Sequence, residues 1–155
     1  MNRTDIIILN ALQRDSNQSI AQIAEKAALS TSACHRRLRA LEEEGYIRNY
    51  SARLDPRKLG LGLQVFVEIS LTSQSQDDMN RFEDAVGRFD DILECHLMSG
   101  SADYMLRVAA ADMDHFDVIH RTCLSRLPGV SAMHSSFAIR RIKEWTGYSL
   151  ERLQA

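Results

Sequence analysis

Between Ser19 and Gly45 two short amphipathic helical patterns follow one another across a tight turn, and a pair of crossed helices satisfies both. Ser19 and Gln22 have the spacing of a capping box, in which a hydroxyl and an amide satisfy backbone donors at a helix start. Ile20, Ile23, Ala24 and Ala27 then recur at helical intervals and line one face with apolar atoms. Ser30 suits the cap of a second helix with Cys34, Leu38 and Leu41 as its apolar stripe, and Gly45 suits the left-handed residue that closes it. The opposite face displays Ser32, His35, Arg36 and Arg39. Such a helix can lie in the major groove of duplex DNA while its partner crosses behind it. The pattern reads as a helix-turn-helix.

Charge agrees once it is resolved along the chain. The net charge of −2 averages a basic N-terminal part, residues 1–60, with ten Lys/Arg against seven Asp/Glu, and an acidic remainder with nine against fourteen. Eight of the ten N-terminal cations lie between Lys26 and Lys58. A local basic surface on an otherwise acidic chain is the electrostatic footprint of a DNA binder. A merely solvated helix face is the plainer alternative, and the surrounding helix-turn-helix pattern argues against it.

No apolar run approaches the ~20 residues of a membrane span, and Asp5 interrupts the N-terminal apolar stretch where a signal peptide would need continuity. Cys34, Cys95 and Cys123 form no Cys-x-x-Cys pair, so neither a zinc site nor a disulfide framework is expected, and a reducing cytoplasm is the natural compartment. No metal, cofactor or catalytic constellation is expected.

Ahead of the helix pair, Thr4 is positioned to cap a helix reaching about Gln13, with Ile7, Ile8 and Leu12 packing onto the pair. After it, Tyr46 to Asp55 reads as a two-stranded wing from which Arg48 and Arg53 can reach phosphates. Pro56 and Gly60-Leu-Gly62 punctuate a linker. The periodicity then switches: Leu63, Val65, Val67, Ile69 and Leu71 alternate with mostly polar residues, the mark of a strand with one buried face. A helix over Ser75 to Phe89, strands over Ile92 to Met98 and from Tyr104 to Ala110, a helix over Met113 to Leu127 and a strand over Val130 to Ile142 complete the order βαββαβ.

The expected fold is α+β: a winged helix-turn-helix over 1–54, a linker over 55–62, and a ferredoxin-like βαββαβ domain over 63–155 with both helices on one face of an antiparallel sheet. The other face needs cover, and a second copy of the chain is the natural candidate.

In this order, four segments carry a resemblance over essentially the whole chain. They are Leu29-Ser-Thr-Ser-Ala-Cys-His-Arg-Arg-Leu38 with Leu41-Glu-Glu-Glu-Gly45, Asp55-Pro-Arg-Lys-Leu-Gly60, Ser99-Gly-Ser-Ala-Asp-Tyr104, and Ile142-Lys-Glu-Trp-Thr-Gly-Tyr-Ser-Leu150. The chain resembles the Lrp/AsnC (feast/famine) transcriptional regulators, whose C-terminal domain is of the RAM/ACT-like kind. The resemblance implies binding to double-stranded DNA, homodimers paired through the C-terminal sheets and assembling to tetramers or octamers, and tuning by a small amino acid lodged between C-terminal domains.

It also implies DNA contact by Thr31, Ser32, His35, Arg36, Arg37, Arg39, Arg48 and Arg53, with Arg37 towards the helix flank and nearer the DNA backbone. The effector is implied at Met98, Ser99, Gly100, Ser101, Ala102, Asp103 and Tyr104, with Ser135 and Ser136 as neighbours on the last strand. Gly100 would let backbone amides approach a carboxylate and Asp103 would pair with an α-ammonium; by residue type alone, the same loop reads better as a tight strand connection capped by Asp103, and the resemblance brings the two readings level. A cytoplasmic, nucleoid-associated location follows from such a role.

The sequence departs from the common pattern at Thr31 and Ala33, one of which is often proline, at His35, usually apolar or aromatic, and at Trp145, Gly147 and Tyr148, usually small residues or threonine. Trp145 and Tyr148 are expected to bury against a neighbouring subunit. Two further readings remain: an architectural DNA-binding protein without an effector, and an enzyme resembling the sirohaem decarboxylases, for which His96, His115, His120 and His134 are the available histidines.

Overall fold

The computed structural model describes residues 1–151; the end of the expected C-terminal extension, residues 152–155, lies outside the described residues. The chain divides into two compact units, Met1–Arg53 joined by the C-terminal segment that begins at Ile142, and Leu54–Arg141. The expected boundary near residue 54 is where the chain leaves the first unit. The C-terminal segment, expected to stay with the sheet, instead belongs to the first unit.

In that unit α1 (Arg3–Arg14), α2 (Ile20–Lys26) and α3 (Thr31–Glu43) pack around Ile8, Ile23, Ala24, Cys34 and Leu41. The first cap is Asn2 rather than Thr4: its side chain accepts from the Asp5 N–H while the Asp5 carboxylate accepts from the Asn2 N–H. This reciprocal pairing satisfies two donors, which a threonine placed two residues later cannot do. Ile6 and Ile8 are buried, whereas Ile7 and Leu12 are only half-buried. Ser19 and Gln22 form the expected capping box, and Ser30 caps α3. The turn between α2 and α3 places Ala28 at a φ of 53°, and Gly45 closes α3 at 78°.

The wing segment carries no strand. Residues 46–55 form no ladder, and nearly all of their side chains are exposed. Ile47 alone tucks towards the helical core. An isolated two-stranded hairpin is marginal in water, and this one lacks a buried face to anchor it.

The second unit begins with a structured turn rather than a loose tether: the Leu61 N–H donates to the Pro56 carbonyl at 2.7 Å and the Asp55 carboxylate accepts from the Arg57 N–H at 2.9 Å. Then come β1 (Leu63–Leu71), α4 (Gln76–Val86), β2 (Ile92–Leu97), β3 (Tyr104–Ala110), α5 (Met113–Thr122), a 3-10 turn (Leu124–Arg126) and β4 (Val130–Phe137). The antiparallel sheet has the order β2-β3-β1-β4. Val65, Val67, Ile69, Tyr104, Leu106 and Val108 face Phe82, Val86, Phe116 and Ile119 of the helices, all nearly fully buried. Strand β4 stops five residues short of the expected Ile142: its last pair is Phe137 opposite Val65, the Ala138 N–H makes one further bond to the Gln64 carbonyl, and β1 itself begins at Leu63 and offers nothing beyond.

Candidate nucleic-acid interface and effector groove

Helix α3 owes its exposed face to where its apolar stripe points. Cys34 and Leu41 are sealed in the core and Leu38 is half-buried, which turns Thr31, Ser32, His35, Arg36 and Arg39 outward. The Ser30 hydroxyl lies 3.2 Å from that of Ser32 and accepts from the Ala33 N–H, holding the first turn. Among the described residues Arg36 and Arg39 have no carboxylate partner. Arg36 lines a groove of about 430 Å³ between α3 and the start of α1, together with Asn2, Thr4 and Ala33.

Arg37 is committed elsewhere. Its guanidinium grips Asp5 through Nε and through Nη2, the latter 2.8 Å from Oδ2, and approaches Glu44 at 3.9 Å. Asp5 is fully buried. The Arg37 guanidinium holds the Asp5 carboxyl below the usual carboxylate range, against the opposing effect of burial. Of the arginines expected to meet DNA, Arg37 is therefore the one tied into the fold, clamping α3 to α1. The Asn2/Asp5 spacing signals the cap of α1, but nothing local links Asp5 to Arg37, and only the fold brings them together.

Arg48 and Arg53 are exposed. Arg53 lies under Trp145, its guanidinium carbon 5.0 Å from the ring centroid, and Trp145 meets Tyr148 edge to face. The Gln13 side chain donates to the Tyr148 carbonyl at 2.8 Å and accepts from the Tyr148 N–H at 2.9 Å. Asn10 donates to Glu151 at 2.8 Å. Within one chain Trp145 is 58% exposed and Tyr148 71%, which leaves both faces available to the neighbouring subunit against which they are expected to bury.

In the second unit, Asp103 ties the β2–β3 connection to the end of β1. Its N–H donates to the Ile69 carbonyl and its own carbonyl accepts from the Met98 N–H, both at 2.8 Å. Its carboxylate accepts from the Leu71 N–H and from the Gln74 side chain, each at 2.7 Å. These groups bound a groove of about 350 Å³ whose apolar lining is Leu71, Met79, Leu97 and Met98, with Ser99 and Gly100 at its rim. Met98, Ser99, Gly100 and Asp103 are thus brought together as expected. Leu71, Gln74, Met79 and Leu97 were missed, because only the fold carries the β1–α4 corner to this loop.

Ser101 and Ala102 sit in the same loop but do not line the groove. Tyr104 is 1% exposed, stacked on Phe82 at 4.6 Å with its hydroxyl donating to Glu83 at 2.6 Å. Burial, then the Glu83 carboxylate, raise its pKa. It supports the groove from behind rather than facing into it. Ser135 and Ser136 pair with Val67 and Phe66 on β1, four and five residues from Leu71, and line no part of the groove.

The histidines do not converge. His96 and His134 lie on the sheet face opposite the helices, His115 accepts from the Ala111 N–H, and the His120 ring lies 6.3 Å from that of Phe116. Cys34 and Cys123 are buried and Cys95 is half-buried; burial raises all three thiols, the latter two to about 11. Among the described residues no cluster suits a metal ion, and no helix is long and apolar enough to cross a membrane.

Residues 64–148 match the family model of the Lrp/AsnC ligand binding domain, and residues 1–48 match that of a winged helix-turn-helix DNA-binding domain. The chain is 39% identical over 142 residues to the Bkd operon transcriptional regulator of Pseudomonas aeruginosa, covering 92% of this chain and 93% of that one. It is 37% identical over 144 residues to the leucine-responsive regulatory protein of Escherichia coli, covering 93% and 88%. Among solved structures, a Neisseria meningitidis transcriptional regulator in complex with L-Met superposes with a TM-score of 0.93 at 35% identity, over 99% of both chains. An AsnC family regulator from Agrobacterium tumefaciens gives the same TM-score and coverage at 37% identity.

Proposed function

This chain belongs to the Lrp/AsnC family of DNA-binding transcriptional regulators responsive to amino acids or related small molecules, and on that premise we propose which of its residues do the work. Helix α3 enters the major groove and presents Arg36 and Arg39 to guanine edges or phosphates, with Thr31, Ser32 and His35 as neighbouring contacts. The observation that carries this reading is the pair of exposed guanidiniums without a carboxylate partner on a helix whose third arginine is locked to Asp5. A good bidentate arginine–guanine pair discriminates by ~1–3 kcal/mol. Arg48 and Arg53 touch the DNA backbone and position the unit without reading sequence.

An amino acid is the effector, its ammonium on Asp103 and its carboxylate on the Ser99–Gly100 backbone. The L-Met complex of the Neisseria regulator, at 35% identity, supports that class of ligand. A second copy covers the open sheet face, where Phe66 is 37% exposed among Glu68, Glu94 and Arg107. Dimers then present two α3 helices to half-sites about one helical turn, ~10 base pairs, or a multiple of it apart. Assembly to tetramers or octamers would bend the site, at an elastic cost of order 1–6 kcal/mol. The reading assigns the chain no reaction and places it in the cytoplasm with the nucleoid.

The test uses DNA selected from a random library by the wild-type chain. Arg36→Ala with Arg39→Ala strongly weakens the gel shift and leaves the sedimentation coefficient unchanged. An undiminished shift removes α3 as the reading element. Asp103→Asn leaves DNA binding intact and flattens the amino-acid response; a full response removes the effector assignment.

A further inference from the structure

Arg53 lies near the end of the strandless segment that follows α3, and nothing in that segment holds it. Ile47 tucks towards the helical core and the Tyr50 hydroxyl donates to Glu42 on α3 at 2.7 Å. From Ser51 to Leu54, however, the chain forms no strand and every side chain is exposed. An arginine without an anchor gives up rotamer freedom whenever it makes a contact, which subtracts from the affinity the contact provides.

The contact that Arg53 does make comes from the far end of the sequence. Its guanidinium carbon lies 5.0 Å from the centroid of the Trp145 ring. That ring is braced in turn. Tyr148 meets it edge to face with centroids 5.4 Å apart, and the Tyr148 backbone is pinned through both its N–H and its carbonyl to the Gln13 side chain on α1. Gln13 also donates to Asn10, one turn earlier, at 2.7 Å. A line of contacts therefore runs from a core helix to Arg53, all of it within the first unit.

The kind of contact matters as much as its presence. Arg37 is held by a carboxylate, which takes up its N–H donors and offsets its charge. An aromatic face attracts a guanidinium through the ring quadrupole and adds no negative charge. Among the described residues Arg53 has no carboxylate partner. It is thus held in place with its full charge available, the condition that suits a phosphate contact.

We propose that Trp145 is a positioning residue for DNA binding: braced by Tyr148 and Gln13, it fixes the Arg53 guanidinium before a phosphate arrives, and the C-terminal segment works as part of the DNA-binding unit. The inference rests on the reading of Arg53 as a contact to the DNA backbone.

The test uses the full chain, DNA selected by wild type, and the fluorescence of Trp145, the only tryptophan of the sequence. Arg53→Ala shifts the Trp145 emission in the free protein, and it binds DNA more weakly with a salt slope shallower by about 0.9 for each Arg53 lost. Trp145→Leu keeps an apolar side chain without the quadrupole. It binds roughly two- to fivefold more weakly for each chain engaged, with an unchanged sedimentation coefficient. Trp145→Phe, which restores an aromatic face, recovers part of the loss. In the Arg53→Ala background Trp145→Leu costs nothing further, because the two residues act as one unit.

The positioning role is overturned, with Arg53 left on the DNA, by any of four results: Trp145→Leu as tight as wild type, a loss that adds in full to that of Arg53→Ala, a loss that Trp145→Phe does not recover, or an emission that Arg53→Ala does not shift. A loss accompanied by a lower sedimentation coefficient assigns Trp145 to assembly and overturns it too. If Arg53→Ala binds with the affinity and slope of wild type, the backbone-contact reading falls and takes the inference with it.

Discussion

Asp5 and Arg37 show what a single residue pair does here. Read along the chain, Arg37 is one more cation on a basic helix and Asp5 an interruption in an apolar run. The fold makes them one unit, a buried carboxylate held by a guanidinium from the next helix but one. Asp5 is buried while Arg37 is a third exposed, so Asp5→Asn loses the charge-assisted bonds without stranding a buried cation, and is expected to lower stability at neutral pH. The folded pKa of Asp5 is depressed, so this stabilisation is present above the ordinary carboxylate range and disappears as pH falls through the folded value. Urea unfolding at neutral and acid pH checks it: the gap between wild type and Asp5→Asn closes as the medium acidifies. Ala28 gives a prediction of opposite sign. Its φ of 53° places a Cβ in the left-handed region, which costs roughly 1–2 kcal/mol for a residue with a side chain. Ala28→Gly regains part of this against its larger unfolded entropy, and urea unfolding is expected to show a free energy raised by about 0.5–1 kcal/mol.

At the scale of elements, what the sequence made legible followed burial. Strand β1 was readable because its alternation is enforced by a sealed face, and α2 and α3 because Ser19, Gln22 and Ser30 make the caps their spacing allows. The wing and the end of β4 were not, because alternating residues mark a strand only where a neighbouring strand exists to pair with. The C-terminal segment was misplaced for a related reason: nothing local shows that Gly147 and Tyr148 meet Gln13 on α1. Gly147 has a φ of 109°, and a Cβ there would collide with the Gln13 side chain. Gly147→Val is expected to release this segment from α1. Limited proteolysis between residues 142 and 148 then accelerates, and Trp145 fluorescence shifts to the red as its contacts with Arg53 and Tyr148 are lost. An unchanged cleavage rate counts against the docked segment.

At the scale of the molecule, the proposed reading divides the labour between the two units: basic helices for DNA, and an acidic sheet unit for the effector and for a second copy. The sequence leads one to expect a second copy over the open face, where Phe66 lies among Glu68, Glu94 and Arg107. Phe66→Glu places a charge on that face without disturbing the buried side of β1. If second copies cover the face as proposed, sedimentation of this variant shifts towards single chains and DNA affinity falls with it, because one α3 helix carries few contacts.

Helix α3 is proposed to meet DNA through the charges of Arg36 and Arg39, and the salt dependence of binding is the decisive measurement. For wild type the logarithm of affinity falls linearly with the logarithm of salt concentration, by about 0.9 for every phosphate neutralised. Arg36→Ala with Arg39→Ala is predicted to bind more weakly and with a shallower slope, by about two phosphates per α3 helix engaged if both arginines touch the backbone. A double variant with the slope and affinity of wild type would contradict the account.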